Sequence, residues 1–262
     1  MDEATFEQAM NADAFPRRAV LLTFDDGYRN FVDQAAAILK SYEAPSTLFV
    51  VSDKVGGRSE WDVERGMPPL ALASWDELEV ARSRYSELSV GSHSASHRFA
   101  RDLSLQELHR ELRAPIDALV SRGFPRPTSY AFPYGNVTQA AVDTARELDV
   151  HLAFTTRSDV VTGATDPYRI PRLVVRTNMS AVGLAVRMIW LRSQGASPLL
   201  RTTGHVVSAV LGRLRGLVSS QRLLRSPAAD PAFGEPQTNS LQEPASDSDR
   251  HATGVGGQRI SR

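Results

Sequence analysis

Ala19-Val20-Leu21-Leu22-Thr23-Phe24-Asp25-Asp26-Gly27 is a short, partly β-branched apolar run that stops at two carboxylates and a glycine. Its length and the turn signal behind it predict a buried strand ending at a loop. Similar units follow at Ser46 to Val51, at Glu87 to Gly91 running straight into His93, and at Ser129 to Phe132 before Pro133-Tyr134-Gly135. His151 to Thr155 adds another, and Arg172 to Val175, after Ile170-Pro171, predicts a last strand. Helical spacing lies between them. Val32, Ala35, Ala36, Ile38 and Leu39 form an apolar side over Phe31 to Ser41, and Val137 to Leu148 reads as a further helix. Ser74-Trp75-Asp76-Glu77 and Ser104-Leu105-Gln106-Glu107 are capping boxes, in which Ser and Glu each bond the other's backbone N–H. The second box opens a helix that Pro115 is expected to kink.

Strands alternating with helices predict an α/β fold with a mainly parallel sheet. Polar clusters fall just past the predicted strands, at Asp25, His93 and Pro133. An α/β barrel gathers its active site at that end of its strands.

The 262 residues contain no cysteine, so disulfides and thiolate metal sites are excluded and any metal must be held by His and carboxylate. The basic residues are almost all arginine, Lys40 and Lys54 being the only lysines. Charge is distributed in blocks. Residues 1–175 carry 19 basic and 25 acidic side chains, a net of −6. Arg176 to Arg225 carries eight arginines and no acid, a net of +8, and the remainder has three arginines against five acids, a net of −2.

Residues 1–17 form an N-terminal lead without the basic and apolar regions of a secretory signal. No run of about 18 apolar residues occurs, so the expectation is a cytoplasmic protein or one peripheral to a membrane. Nucleic acid is not an expected partner. Over 179–225, apolar residues three and four apart alternate with arginine, which predicts two basic amphipathic helices broken near Gly195-Ala196-Ser197-Pro198. Such helices suit an anionic membrane surface, here through residues 180–225, or packing on the barrel or another subunit. Residues 226–262 are rich in Pro, Ser, Asp, Gly and Gln and are expected to be a disordered tail.

Adjacent carboxylates at a strand end repel each other unless something uses the charge. One can ligate a metal while the other acts as a base. A lone Asp-Asp-Gly would more readily be a helix cap. In Gly91-Ser92-His93-Ser94-Ala95-Ser96-His97, the spacing of the two histidines suits imidazoles sharing one divalent ion. Two His and one carboxylate make a facial triad with positions left open for water and substrate. Tyr130-Ala131-Phe132-Pro133-Tyr134-Gly135 offers aromatics around a tight turn, a wall against which a sugar ring could lie.

In this order, these three segments resemble the polysaccharide deacetylase family, the NodB-homology domain or carbohydrate esterase family 4. The resemblance runs from about Arg18 to Val175 and includes Pro45-Ser46-Thr47-Leu48-Phe49-Val50 and Leu72-Ala73-Ser74-Trp75-Asp76-Glu77-Leu78. It implies a distorted (β/α) barrel over residues 18–178 and removal of acetyl from an N-acetylated sugar in an oligo- or polysaccharide. It implies Asp25 as general base, and Asp26, His93 and His97 as ligands of a divalent metal, zinc foremost with cobalt or another ion as alternatives. The backbone N–H of Tyr134 would hold the oxyanion, and Phe132, Pro133 and Tyr134 would meet the substrate. Two departures stand out. The arginine that orients the base in many members is replaced by Ala131, and no Leu-x-x-His motif supplies a general acid after His151. Arg172, in Ile170-Pro171-Arg172, is the candidate for part of that missing role through charge stabilisation, and His151 and His205 are candidate proton donors. The Pro-Tyr-Gly and Ile-Pro-Arg segments resemble a sub-branch linked to exopolysaccharide synthesis. The rival readings are an O-deacetylase, an amidase for a smaller N-acyl compound, and a barrel that binds carbohydrate without turning it over.

Overall fold

The protein, a computed structural model, is described over residues 1–16, 19–176 and 178–194. Five parallel strands lie side by side in chain order: β1 (Leu22–Phe24), β2 (Ser46–Val50), β3 (Leu88–Ser92), β4 (Ser129–Ala131) and β5 (Leu152–Phe154). They form a curled half-barrel with helices on its outside, the fold expected from the alternating pattern. A π-helical turn (Phe31–Ala35) runs into α2 (Ala36–Ser41) between β1 and β2. The next crossovers are α3 (Trp75–Arg84), α4 (Leu105–Ser121) and α5 (Gln139–Glu147). Both capping boxes form: Glu77 N–H donates to Ser74 Oγ at 3.2 Å, and Glu107 N–H to Ser104 Oγ at 3.3 Å.

A parallel sheet covered on both faces needs apolar residues on both, and every residue of β2 is buried. Leu48 and Val50 pack outward against Leu78, Leu88 and Leu119. Phe49 points the other way, into the curl, with Ala131, Leu152, Phe154 and Ile170. Gly91 on β3 is required there, because a Cβ would meet the Phe49 ring at 2.5 Å.

The lead segment carries a helix of its own, α1 (Glu3–Asn11), capped by Asp2. Phe6 and Met10 of α1 join the Phe49 and Phe154 cluster, so α1 belongs to the barrel core.

The last strand expected at 172–175 does not form. Ile170 makes one parallel bridge to Phe154 and the ladder stops. Pro171 has no N–H to continue it, and the Arg172 N–H turns to the Arg157 carbonyl at 2.9 Å. The chain then reaches α6 (Ala181–Gln194), the first part of the basic extension. Leu191 on α6 is buried and Arg187 donates to Ser158 Oγ at 3.2 Å. The second basic helix and the tail expected at 226–262 lie outside the described residues. No helix among the described residues is long and apolar enough to cross a membrane.

Candidate metal centre and active site

Each polar cluster sits at the carboxyl end of its strand. Asp26 Oδ1, just after β1, lies 3.2 Å from His93 Nε2 and 3.1 Å from His97 Nε2. The three ligand atoms fall within 4.8 Å of one another, and no other such group of three occurs among the described residues.

His93 Nδ1 is 2.6 Å from the Ala131 carbonyl, an acceptor, so Nδ1 carries the proton. In the neutral ring Nε2 then aims a lone pair at a carboxylate oxygen, an arrangement that repels unless a cation lies between them. Two imidazoles converging on one carboxylate oxygen therefore fit a divalent metal. Burial pulls the His93 pKa down, but Asp25 and Asp26 more than reverse it. For His97 burial dominates and lowers the pKa, even though Asp26 opposes it. Burial alone would raise the Asp26 pKa, yet the two imidazoles beside it hold it far below the usual carboxylate range.

Asp25 is gripped from the far end of the domain. Arg172 donates from both terminal nitrogens to its two carboxylate oxygens, each at 2.7 Å. The same guanidinium donates to Thr23 Oγ1 at 3.1 Å and to the Thr155 carbonyl at 3.0 Å. A bidentate fork fixes direction as well as charge. Burial pushes the Asp25 carboxyl up, but Arg172 and His93 outweigh it, so the carboxyl titrates below its ordinary value. Arg172 thus holds the aspartate left unattended by Ala131, which is buried and lends its carbonyl to His93.

The Pro-Tyr-Gly segment forms a tight turn, with Tyr134 in the left-handed region at φ 61°. Gly135 and Asn136 N–H groups donate back into the turn, while the Tyr134 N–H is not among its hydrogen-bonded amides. Gly135 is fixed by space, since a Cβ would collide with Thr156. The expected aromatic wall takes another form. Phe132 and Pro133 are buried, with Phe132 only 1% exposed. The Tyr134 ring is enclosed by Phe99 stacked at 3.9 Å, Arg65 over it at 4.5 Å and His97 at 4.6 Å. A sugar lying flat would find no open ring face on Phe132.

His151 is far from this cluster along its strand. It precedes β5, at the amino end of the sheet, and pairs with Glu7 of α1 at 2.9 Å. His205 lies outside the described residues.

The structure brings in residues that the motifs did not point to. Trp61 stacks on His97 at 4.1 Å. Tyr28 donates to Asp62 Oδ2 at 2.7 Å, and burial together with Asp26 and Asp62 raises its pKa, keeping it a donor. Trp61, Asp62 and Arg65 lie in the long connection between β2 and α3, where no motif marks a site. Tyr28 directly follows Gly27 and could have been found by extending the motif one residue.

The family model described as polysaccharide deacetylase matches residues 12–153. The poly-β-1,6-N-acetyl-D-glucosamine N-deacetylase of Staphylococcus epidermidis is 22% identical over 166 residues, covering 62% of this chain and 56% of that protein. The enzyme of the same name from Escherichia coli K12 is 26% identical over 214 residues, covering 71% of this chain and 32% of that one. The chain therefore spans only part of these relatives. Among solved structures, Streptococcus pyogenes deacetylase PplD in complex with acetate superposes with a TM-score of 0.62 at 22% identity, over 72% of this chain and 78% of that one. IcaB from Ammonifex degensii gives 0.61 at 22% identity, over 71% and 80%.

Proposed function

Because the chain belongs to the polysaccharide deacetylase family, we propose that it hydrolyses the acetamido group of N-acetylglucosamine units in a β-1,6-linked glycan, releasing acetate. The observation that carries this reading is the convergence of Asp26, His93 and His97, with a second carboxylate, Asp25, clamped alongside. A divalent ion held by that triad, zinc foremost, would supply a Lewis acid for the acetyl carbonyl and lower the pKa of water.

The chain's own groups supply the rest. Asp25, kept ionised and oriented by Arg172, takes the proton from the attacking water. The Tyr134 N–H, in the left-handed turn after β4, donates to the oxyanion that forms as water adds to the carbonyl carbon. When the carbon–nitrogen bond breaks, the leaving nitrogen needs a proton. No third imidazole contacts the cluster among the described residues, so the proton held by Asp25 is the one at hand.

The test is acetate release from β-1,6-linked N-acetylglucosamine oligomers, with a chelator and with zinc or cobalt restored, and acetylxylan as the ester control. Loss with chelator and recovery with metal on the amide substrate is expected. Release from acetylxylan alone would move the assignment to an O-deacetylase.

A further inference from the structure

Four left-handed non-glycine residues, Asp26, Ser94, His97 and Tyr134, stand at the site. Two of them lie in the five-residue loop His93 to His97, so this loop is held against its own backbone preference. Much of that hold comes from one residue of α4. Ser96 N–H donates to Glu111 Oε2 at 2.8 Å, and Ser96 Oγ donates to Glu111 Oε1 at 2.6 Å. Ala95 N–H donates to the Glu111 main-chain carbonyl at 3.1 Å.

That last bond should not be available. A mid-helix carbonyl accepts from the N–H four residues on. Four residues after Glu111 is Pro115, which has none, and α4 nevertheless continues to Ser121. Pro115 therefore frees the very carbonyl that Ala95 takes. Glu111 is 2% exposed, and among the described residues it makes no ion pair. A buried carboxylate is costly unless its oxygens are satisfied, and both of its oxygens are given to the loop.

We infer that Glu111 and Pro115 are positioning residues that set, from the outer helix, the geometry of the His97 arm of the metal triad. The inference rests on the triad being a metal site. Glu111 supplies three acceptors and Pro115 keeps one of them free. Groups behind metal ligands of this kind typically change affinity by about 10–100-fold when altered.

The experiment uses the full chain and three readouts: zinc affinity by competition with a chromophoric chelator, amide hydrogen exchange of the metal-free protein, and thermal midpoint. Glu111→Gln, which removes one acceptor, is expected to weaken zinc binding about 10–100-fold and to speed exchange at Ala95, Ser96 and His97 while leaving α5 unchanged. Pro115→Ala gives α4 a new N–H that competes for the Glu111 carbonyl. It is expected to raise the thermal midpoint, because proline is poor in a helix interior, and yet to weaken zinc binding several-fold. A purely structural role would move stability and affinity together. Wild-type affinity and wild-type loop exchange in Pro115→Ala would overturn the inference, even if Glu111→Gln does not fold. If the wild-type protein binds no divalent metal, the reading of the triad fails, and loop exchange in the two variants decides on the brace by itself.

Discussion

At the residue scale, Asp25 and Asp26 are neighbours with different surroundings. Asp26 faces two imidazoles and Asp25 faces one guanidinium. On the proposed reading, Asp25→Asn keeps the metal and loses activity by about 10²–10⁴-fold, the usual loss for a positioned base. Asp26→Asn instead lowers metal content, as does His97→Ala, which elemental analysis of the purified variants reads directly. Full occupancy in His97→Ala would remove it as a ligand. Arg172 gives a third contrast. Arg172→Lys keeps the charge but cannot make the bidentate fork, so kcat is expected to fall on the order of 10²-fold, the penalty for about 1 Å of misplacement, with metal content unchanged. Equal kcat for Arg172→Lys and wild type would reduce the clamp to a charge effect. Arg172 was visible in the sequence as a charge-stabilising candidate in Ile170-Pro171-Arg172, but its grip on Asp25 was not, since pairing across so long a stretch of chain has no periodicity to betray it. The triad was legible because its spacing is local to two short segments. Trp61 and Glu111 were not, because stacking on His97 and bracing Ser96 depend on how a connection and an outer helix fold back.

At the element scale, strands and helices were read from apolar runs and capping boxes, and β1 to β5 follow those runs. The element that escaped was α1, although Phe6, Ala9 and Met10 have the three-and-four spacing of a buried helical face. The lead was legible only as a segment without the marks of a secretory signal. The strand expected at 172–175 failed for the opposite reason, because apolar content outvoted the missing N–H of Pro171. Helix α1 also carries a pH dependence. Burial raises the Glu3 pKa, and the Ser129 and Thr47 hydroxyls, which lower it, do not offset that. A carboxyl with a raised folded pKa favours the fold below its unfolded value and loses that contribution as pH rises through the folded one. Glu3→Gln is therefore expected to raise the thermal midpoint above the normal carboxylate range and to have little effect near pH 3. A midpoint difference that grows on acidification instead would reverse the assignment.

At the scale of the whole molecule, the barrel is net acidic and the segment after it strongly basic. Part of that segment, α6, rests on the barrel through Leu191 and Arg187. Its exposed residues include Val182, Met188 and Ile189. We propose that residues 180–225 also hold the enzyme at an anionic membrane surface, where each basic residue contributes on the order of 1 kcal/mol and salt screens it. The intact chain is expected to sediment with phosphatidylserine-containing vesicles at low salt and to be released at high salt. A chain ending at Gln194 should stay in the supernatant and keep its activity on soluble oligomers. If the intact chain ignores the vesicles, the arginines serve protein contacts instead.

The sheet is laid down in chain order, β1 to β5, and this has a consequence for how the enzyme is made. During synthesis Asp26 leaves the ribosome first and His97 completes the ligand set, while Arg172 is still untranslated. At about 5–20 residues per second that interval lasts roughly 4–15 seconds. On the proposed reading, a nascent chain presents its metal ligands before Arg172 has clamped Asp25. Metal loading and the clamping of Asp25 would then be separate events in the life of each molecule.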